Sequence, residues 1–472
     1  MSSIPIPVAP KSLPVLGHAL PLALRRTGFL GELAACGGLV RIGMAGSPGY
    51  VLTDPDLVWR VLVTESQNYA RGRMFDKMIE VLGNGLTAAS GKAHREMRRL
   101  MQPSFHHERV ASYAKVMTKA ARELSDAWTH GEVIRVDHAM NDYTARVVNG
   151  ILFTSGAGSR AAKAIQERLP LVMKGMLTRT LFPGAWERWP LPGNIRFRRS
   201  IETMDREIDA VIDTYRAGGL DFDDMLSRFL STRDTEGNLV SDQWIHDQAI
   251  TVAVGGIETT GAALAWCMHH LGQNPDMERQ FHAELDGVLH GRDPEYSDVA
   301  KLPYTTRFVM EVLRKHAIAI YMRRTVEETR LGDHLLPKGA EIIVSPYALH
   351  HNPRWFPNPQ AFDPDRWLDD LARRLPKGAY IPFSAGAHKC IADNLAMLEV
   401  TLGLATIGSR WRLRPVRGHK VKEVTTGATR PNKLPMMLEK RDRVRHVAAS
   451  PDVPAQETAD HASPKHCRPS QA

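Results

Sequence analysis

The segment Phe383-Ser-Ala-Gly386-Ala-His388-Lys-Cys390 restricts what this chain can fold around more than any other. It places one cysteine after a glycine-bearing turn and before an apolar helix that opens Asn394-Leu-Ala-Met-Leu-Glu-Val. The other three of the four cysteines are Cys36, Cys267 and Cys467, too scattered to complete a zinc or iron–sulfur ligand set with it. A lone thiolate at a helix N-terminus is stabilised by the helix dipole and by free backbone N–H groups. Such a thiolate suits haem iron, where it pushes electron density onto the metal and favours O–O cleavage. A small buried cysteine in an ordinary loop is the blander reading, and the complete octapeptide weighs against it.

From Asp242 to Gln273 the chain reads as one long helix, opened by Ser241-Asp242 and stopped before Pro275. At ~1.5 Å per residue it would run roughly 48 Å, enough to cross a large domain. Its middle holds Val254-Gly255-Gly256-Ile257-Glu258-Thr259-Thr260. Adjacent glycines inside a helix cost about 1 kcal/mol each relative to alanine, so something there needs the backbone bare. An acid and a hydroxyl side by side suit a reaction that consumes protons in a mostly dry pocket. A further helical segment, opened by Pro303, carries Glu311-Val-Leu-Arg314, whose acid and base share a helix face. Downstream stands Phe362-Asp-Pro364-Asp-Arg366-Trp367.

Together these segments resemble the cytochrome P450 family. The cysteine octapeptide matches its haem-binding loop, Phe-x-x-Gly-x-(His/Arg)-x-Cys, and Gly255-Gly256-Ile257-Glu258-Thr259 matches its distal-helix motif. Glu311-Val-Leu-Arg314 and Arg366-Trp367 match its Glu-x-x-Arg and Pro-x-Arg-(Phe/Trp) segments, and His94-Arg-Glu-Met-Arg98 resembles its C-helix pattern. The resemblance runs from Pro14-Val-Leu-Gly17 to about Leu438. It implies a mainly α protein with a small β portion, one large haem domain spanning residues 1–440. Residues 441–472 mix Pro, Ser, Ala, Asp and His without periodicity and read as a disordered tail.

By the same resemblance Cys390 would ligate the iron of haem b. His94, Arg98, Arg323 and His388 would supply the cations that its propionates demand, with Arg324 as the substitute for Arg323. Thr259 would hydrogen-bond dioxygen, and Glu258 would help relay protons. Glu311, Arg314 and Arg366 would form a buried structural lock. Substrate walls are expected at Phe75, Met78 and Ile79, at Leu171, Met173, Met176 and Leu177, at Val252 and Gly255, at Ile318, Ile320 and Tyr321, and at Gly427-Ala428. Three positions depart from the family pattern: Ala392 stands for a glycine, Ala317 for a proline, and His94 for the alternative tryptophan.

The implied activity is a monooxygenase that activates O2 and oxidises a sizeable apolar natural product, with hydroxylation as the default. Phrasing such as Phe383-Ser-Ala-Gly and Ser345-Pro-Tyr-Ala looks most like actinobacterial members that oxidise terpenoids; tailoring of macrocyclic polyketides is the second choice. A peroxide-driven peroxygenase or a non-catalytic haem or carrier-protein binding module on the same scaffold would tend to lose the acid–threonine pair, which this chain keeps.

Composition sets the surroundings. The 472 residues are 43% hydrophobic and can bury a substantial core. Val40-Arg-Ile-Gly-Met, Gly49-Tyr-Val-Leu-Thr and Glu341-Ile-Ile-Val-Ser read as strands. The N-terminus Met1-Ser-Ser-Ile-Pro-Ile-Pro is too short and Pro-broken for a membrane anchor or signal peptide, and four scattered cysteines suit a reducing cytoplasm. The net charge of +9 comes without a basic run interleaved with aromatics, which argues against nucleic acid. A basic face around Lys389 would instead attract an acidic ferredoxin. With no fused redox domain, electrons would come from NAD(P)H through a separate ferredoxin and ferredoxin reductase, and a monomer is expected. Gly83-Asn-Gly85-Leu-Thr-Ala88 mimics a dinucleotide loop only faintly, because no βαβ context precedes it.

Overall fold

The strands expected near Val40, Gly49 and Glu341 assemble side by side. In the computed structural model, which describes residues 4–441 apart from 45–46, 155, 183, 220–221 and 426, five strands form one sheet. They are β1 (Leu39–Met44), β2 (Ser47–Leu52), β3 (Tyr69–Arg71), β4 (Tyr321–Thr325) and β5 (Glu341–Val344). Their order is β1-β2-β5-β4-β3, with β2 and β5 parallel and the other pairs antiparallel. A small hairpin, β6 (Glu423–Thr425) and β7 (Thr429–Pro431), lies near the C-terminal end. Of the expected disordered tail, 441–472, only Arg441 is among the described residues, and it is buried and bonded to Gly408 and Asp286 rather than part of a tail.

Helices make up most of the rest, and eight position the site. These are α1 (Arg73–Leu82), α2 (Gly91–Met101), α3 (Val136–Leu152), α4 (Gly156–Leu181), α5 (Pro192–Gly218), α6 (Asp242–Gln273), α7 (Pro303–Lys315) and α8 (Asp393–Gly408). The long helix read from the sequence is α6. The Ser241 side chain caps it by accepting from the Trp244 N–H, and Pro275 opens the next helix. It is apolar around most of its circumference because it is surrounded: α3, α4, α5, α7 and α8 all pack against it. By length and composition alone α6 could cross a membrane, but its apolar stretch is mostly buried inside the protein.

The lock behind α7 is closed. Arg314 grips Glu311 with two parallel bonds, Nη2–Oε1 at 2.7 Å and Nε–Oε2 at 2.8 Å, and both side chains are fully buried. The remaining Arg314 donors reach the carbonyls of His350, Pro359 and Ala361. Glu311 also accepts from the Asp363 N–H and the Trp367 Nε1–H, while Arg366 Nε stands 3.5 Å from its Oε1. With its donors and acceptors so engaged, the pair ties α7 to the segment that precedes the cysteine loop. A buried ion pair adds little net stability but is costly to break. Glu311→Ala would leave Arg314 buried without a counter-charge. It should cost about 3–5 kcal/mol, read as a lower denaturation midpoint or as loss of folded protein, whereas an exposed control such as Glu327→Ala should leave the midpoint unchanged.

Candidate active site

Cys390 is held by a tightly turned loop. Gly386 adopts a φ of +69°, and a Cβ there would run into the carbonyl of Leu62. The loop closes through a 2.9 Å bond from the Cys390 N–H to the Phe383 carbonyl, and Lys389 pairs with Asp393 at the start of α8. Cys390 lines a large cavity between α6 and α8. Burial pushes its thiol upward, and the amide of Ala392 pulls it only part of the way back. The helix end alone therefore does not make a thiolate here; a bound cation would be needed to hold the deprotonated sulfur.

On one side of the cavity, cationic groups crowd together. Arg98 Nη1 donates to the Lys389 carbonyl at 2.6 Å, linking α2 to the cysteine loop. The His94 and His388 rings stand 4.0 Å apart, centroid to centroid. Burial, reinforced by Arg71, Arg98 and Arg323, pushes His94 down to about 4 and His388 lower still, which disfavours the charged form of each until a carboxylate stands beside it. Arg323 is buried in β4 and bonds its own neighbour's carbonyl. Burial lowers it to about 10. Arg324, the substitute, is already engaged by Asp76 and Glu341.

The sequence missed Arg71. It ends β3 directly across from Arg323, lines the cavity, and holds its guanidinium 4.2 Å from the Phe75 ring centre. Among the described residues neither Arg71 nor Arg323 forms an ion pair, and burial followed by the Arg323 charge lowers Arg71 well below its usual range. His388 Nδ1 is likewise buried without a partner. A three-residue strand gives no legible sequence signal, and only the register exposes the pairing.

The opposite wall is α6. The Thr259 hydroxyl donates to the Gly255 carbonyl at 2.7 Å, and both residues face the cavity. The helix is α-helical throughout. The two glycines have different duties. A Cβ on Gly255 would meet nothing within 4 Å, whereas one on Gly256 would stand 2.9 Å from Val148 Cγ2 on α3. Gly255 keeps the cavity open, and Gly256 lets α3 approach. Glu258 is buried and also lines the cavity. The glycine turn dismissed as a dinucleotide loop is tied to α6 instead: Asn84 N–H donates to Asp247 and Leu86 N–H to Gln248.

The cavity gathers most of the expected walls. Phe75 and Met78 reach it from α1, Met173, Met176 and Leu177 from α4, and Val252 from α6. Ile318, Ile320 and Tyr321 line it after α7, as do Gly427 and Ala428 at the hairpin tip. Two expectations fail. Ile79 is 45% exposed and Leu171 is 37% exposed, each turned to solvent. One residue along a helix is about a quarter-turn or more, so a neighbour of a wall residue faces elsewhere. Met74, Val147, Ile151 and Met225 line the cavity unannounced, because their apolar spacing is that of ordinary core.

The chain matches the Cytochrome P450 family model over residues 7–438. It is 42% identical over 419 residues to cyclooctatin synthase of Streptomyces melanosporofaciens, covering 88% of this chain and 91% of that one. It is 38% identical to cyclooctat-9-en-7-ol 5-monooxygenase of the same organism, covering 92% of this chain and 95% of that one. It is 32% identical to pentalenene oxygenase of Streptomyces avermitilis, covering 92% and 97%. The solved cytochrome P450DA heme domain superposes with a TM-score of 0.83 at 24% identity, over 94% of this chain and 99% of that one. The chain belongs to the cytochrome P450 family, and with that comes a haem cofactor. The cavity's own chemistry fits the group: the Cys390 thiol lines it, as do the half-buried Arg71 and His388, whose buried Nδ1 has no hydrogen-bond partner, and the buried Arg323 stands directly across from Arg71. The glycine assignment has a direct check. Gly255→Ala should keep or raise thermal stability, since alanine favours helix by about 1 kcal/mol, while Gly256→Ala should lower it by forcing α3 away from α6; equal effects would contradict the division.

Proposed function

We propose that this chain is a haem-thiolate monooxygenase that inserts one oxygen atom of O2 into a polycyclic terpenoid, hydroxylation being the default. The observation that carries it is the facing pair of Cys390 on one cavity wall and Gly255, Glu258 and Thr259 on the other. The overall change is RH + O2 + 2e⁻ + 2H⁺ → ROH + H2O, with two electrons and two protons supplied from outside. Haem, when bound, supplies the oxygen activation. Cys390 Sγ would hold its iron, and Arg71, Arg98, Arg323, His94 and His388 would receive its carboxylates. The histidines act there as donors, and the arginines carry the charge.

The remaining duties belong to side chains. Thr259 Oγ1, now donating to the Gly255 carbonyl, is the hydroxyl that holds a proton at the reacting position. The carboxyl of Glu258 precedes it in the chain and supplies the next proton from the interior side. The apolar walls exclude water, so that protons arrive through these groups. The relatives named for cyclooctatin, cyclooctat-9-en-7-ol and pentalenene support a terpenoid substrate, as do the walls away from the cationic side, which are mostly apolar and carry two carboxyl residues, Glu258 and Glu399.

Electrons would come from NAD(P)H through a separate ferredoxin and its reductase. A cleft of about 820 Å³ beside α2 is lined by Arg95, Arg98, Arg99, Arg109 and Arg228. Asp223 engages Arg109 and Arg228; Arg95 and Arg99 form no ion pair among the described residues. Their exposure on the cysteine side of α2, near Lys389, supports docking of an acidic partner there. A cytoplasmic, monomeric enzyme completes the reading.

Thr259→Ala tests the proton assignment. The variant should bind substrate with the same spectral shift and still consume oxygen. Product formed per oxygen consumed should drop by about tenfold or more, with hydrogen peroxide in its place. Unchanged coupling would overturn the role of Thr259, and no product from the wild type would favour a non-catalytic scaffold.

A further inference from the structure

The two sides of the cavity differ in stiffness. The α6 side presents short groups: Val254, Gly255, Thr259 and Ala262. The facing roof presents methionines, Met74 and Met78 on α1 and Met173 and Met176 on α4. Members of each pair are four or three residues apart and share a helix face, and α1 packs directly on α4. A thioether side chain has three rotatable bonds and no hydrogen bond to satisfy, so it refits itself to surfaces of different shape. A roof of this kind tolerates several ligand outlines, as adaptable methionine-rich surfaces do elsewhere.

One methionine is placed as a stop. The terminal methyl of Met173 occupies the space that a Cβ on Gly427 would need, and the Glu258 Oε2 would lie 3.4 Å from that same Cβ. Gly427 is outside the left-handed φ region, so the backbone itself does not demand glycine. The atom that crowds it is the flexible end of Met173, which reaches from the roof to the β6–β7 hairpin beside Glu258. Swinging Met173 to another rotamer would lengthen the cavity towards the hairpin without disturbing α6.

Resting on the terpenoid reading, we propose that the pocket accepts more than one polycyclic terpenoid skeleton, with the Met173–Gly427 contact setting the upper size limit. The rigid α6 side then fixes which atom meets the oxidant, and the roof adjusts to what remains. Substrate breadth and reaction position are governed by different walls.

The test uses the haem-loaded full chain and two probes, pentalenene as the smaller sesquiterpene and cyclooctat-9-en-7-ol as the larger diterpene alcohol. Binding is read from the absorption change at the haem. The wild type should bind both with dissociation constants within about tenfold of each other, since one apolar pocket separates hydrocarbon sizes only modestly. Gly427→Ala pushes Met173 into the cavity and should weaken the diterpene at least about tenfold while leaving the sesquiterpene near its original value. Met173→Ala in the Gly427→Ala background should restore diterpene binding, which separates loss of space from a damaged fold. A wild type that favours one probe by more than about a hundredfold, or a Gly427→Ala variant that weakens both equally, overturns the size-limit proposal and leaves the terpenoid reading intact. Failure of both probes to perturb the spectrum overturns the terpenoid reading and this inference with it.

Discussion

Two guanidinium groups, the buried Arg323 and the half-buried Arg71, stand across from each other on β4 and β3 with no ion-pair partner among the described residues. Unpaired buried charge is among the most expensive features a fold can carry. The surrounding architecture makes sense as the frame for an anionic group that settles this cost. β3 and β4 set the two arginines in register, α2 brings His94 and Arg98, and the cysteine loop brings His388. The same loop presents Cys390, open to the cavity yet surrounded closely enough that desolvation holds its thiol above the ordinary range. Haem, if seated as proposed, would offer its iron to the sulfur and its carboxylates to the arginines.

The lock at Glu311 and Arg314 solves the opposite problem. There the charges are paired, bidentate and saturated by carbonyls and an indole N–H. Nothing is left there for a ligand, whereas the arginines without ion-pair partners keep donors to offer one. α6 joins the two regions. It is the central helix against which the others pack, and Gly255, where an added Cβ would meet nothing, is where the core gives way to the cavity.

Legibility in the sequence followed the size and periodicity of each feature. The bounds of α6 were readable because a serine cap, a long apolar run and a proline stop agree locally. The cysteine loop and the Glu-x-x-Arg helix were readable because their chemistry depends on residues close in sequence. Arg71 was not, since its meaning comes from a partner 252 positions away across a three-residue strand. The pocket walls were half readable: Met78 and Met173 face inward, but Ile79 and Leu171, close neighbours on the same helices, point to water. A resemblance supplies the segment, while helix phase decides which of its residues face the cavity. The protonation of His94 and His388 was not readable at all, because burial and neighbouring arginines from three elements determine it.

The account depends most on the Cys390 sulfur being the ligand to iron. The direct measurement is the absorption spectrum of the reduced, carbon monoxide-bound protein, for wild type and Cys390→Ser. A strongly red-shifted Soret band in the wild type that vanishes in the variant is the predicted result. A wild-type band at the position typical of histidine-ligated haem, in freshly prepared intact protein, would contradict the thiolate centre and the oxygen chemistry built on it.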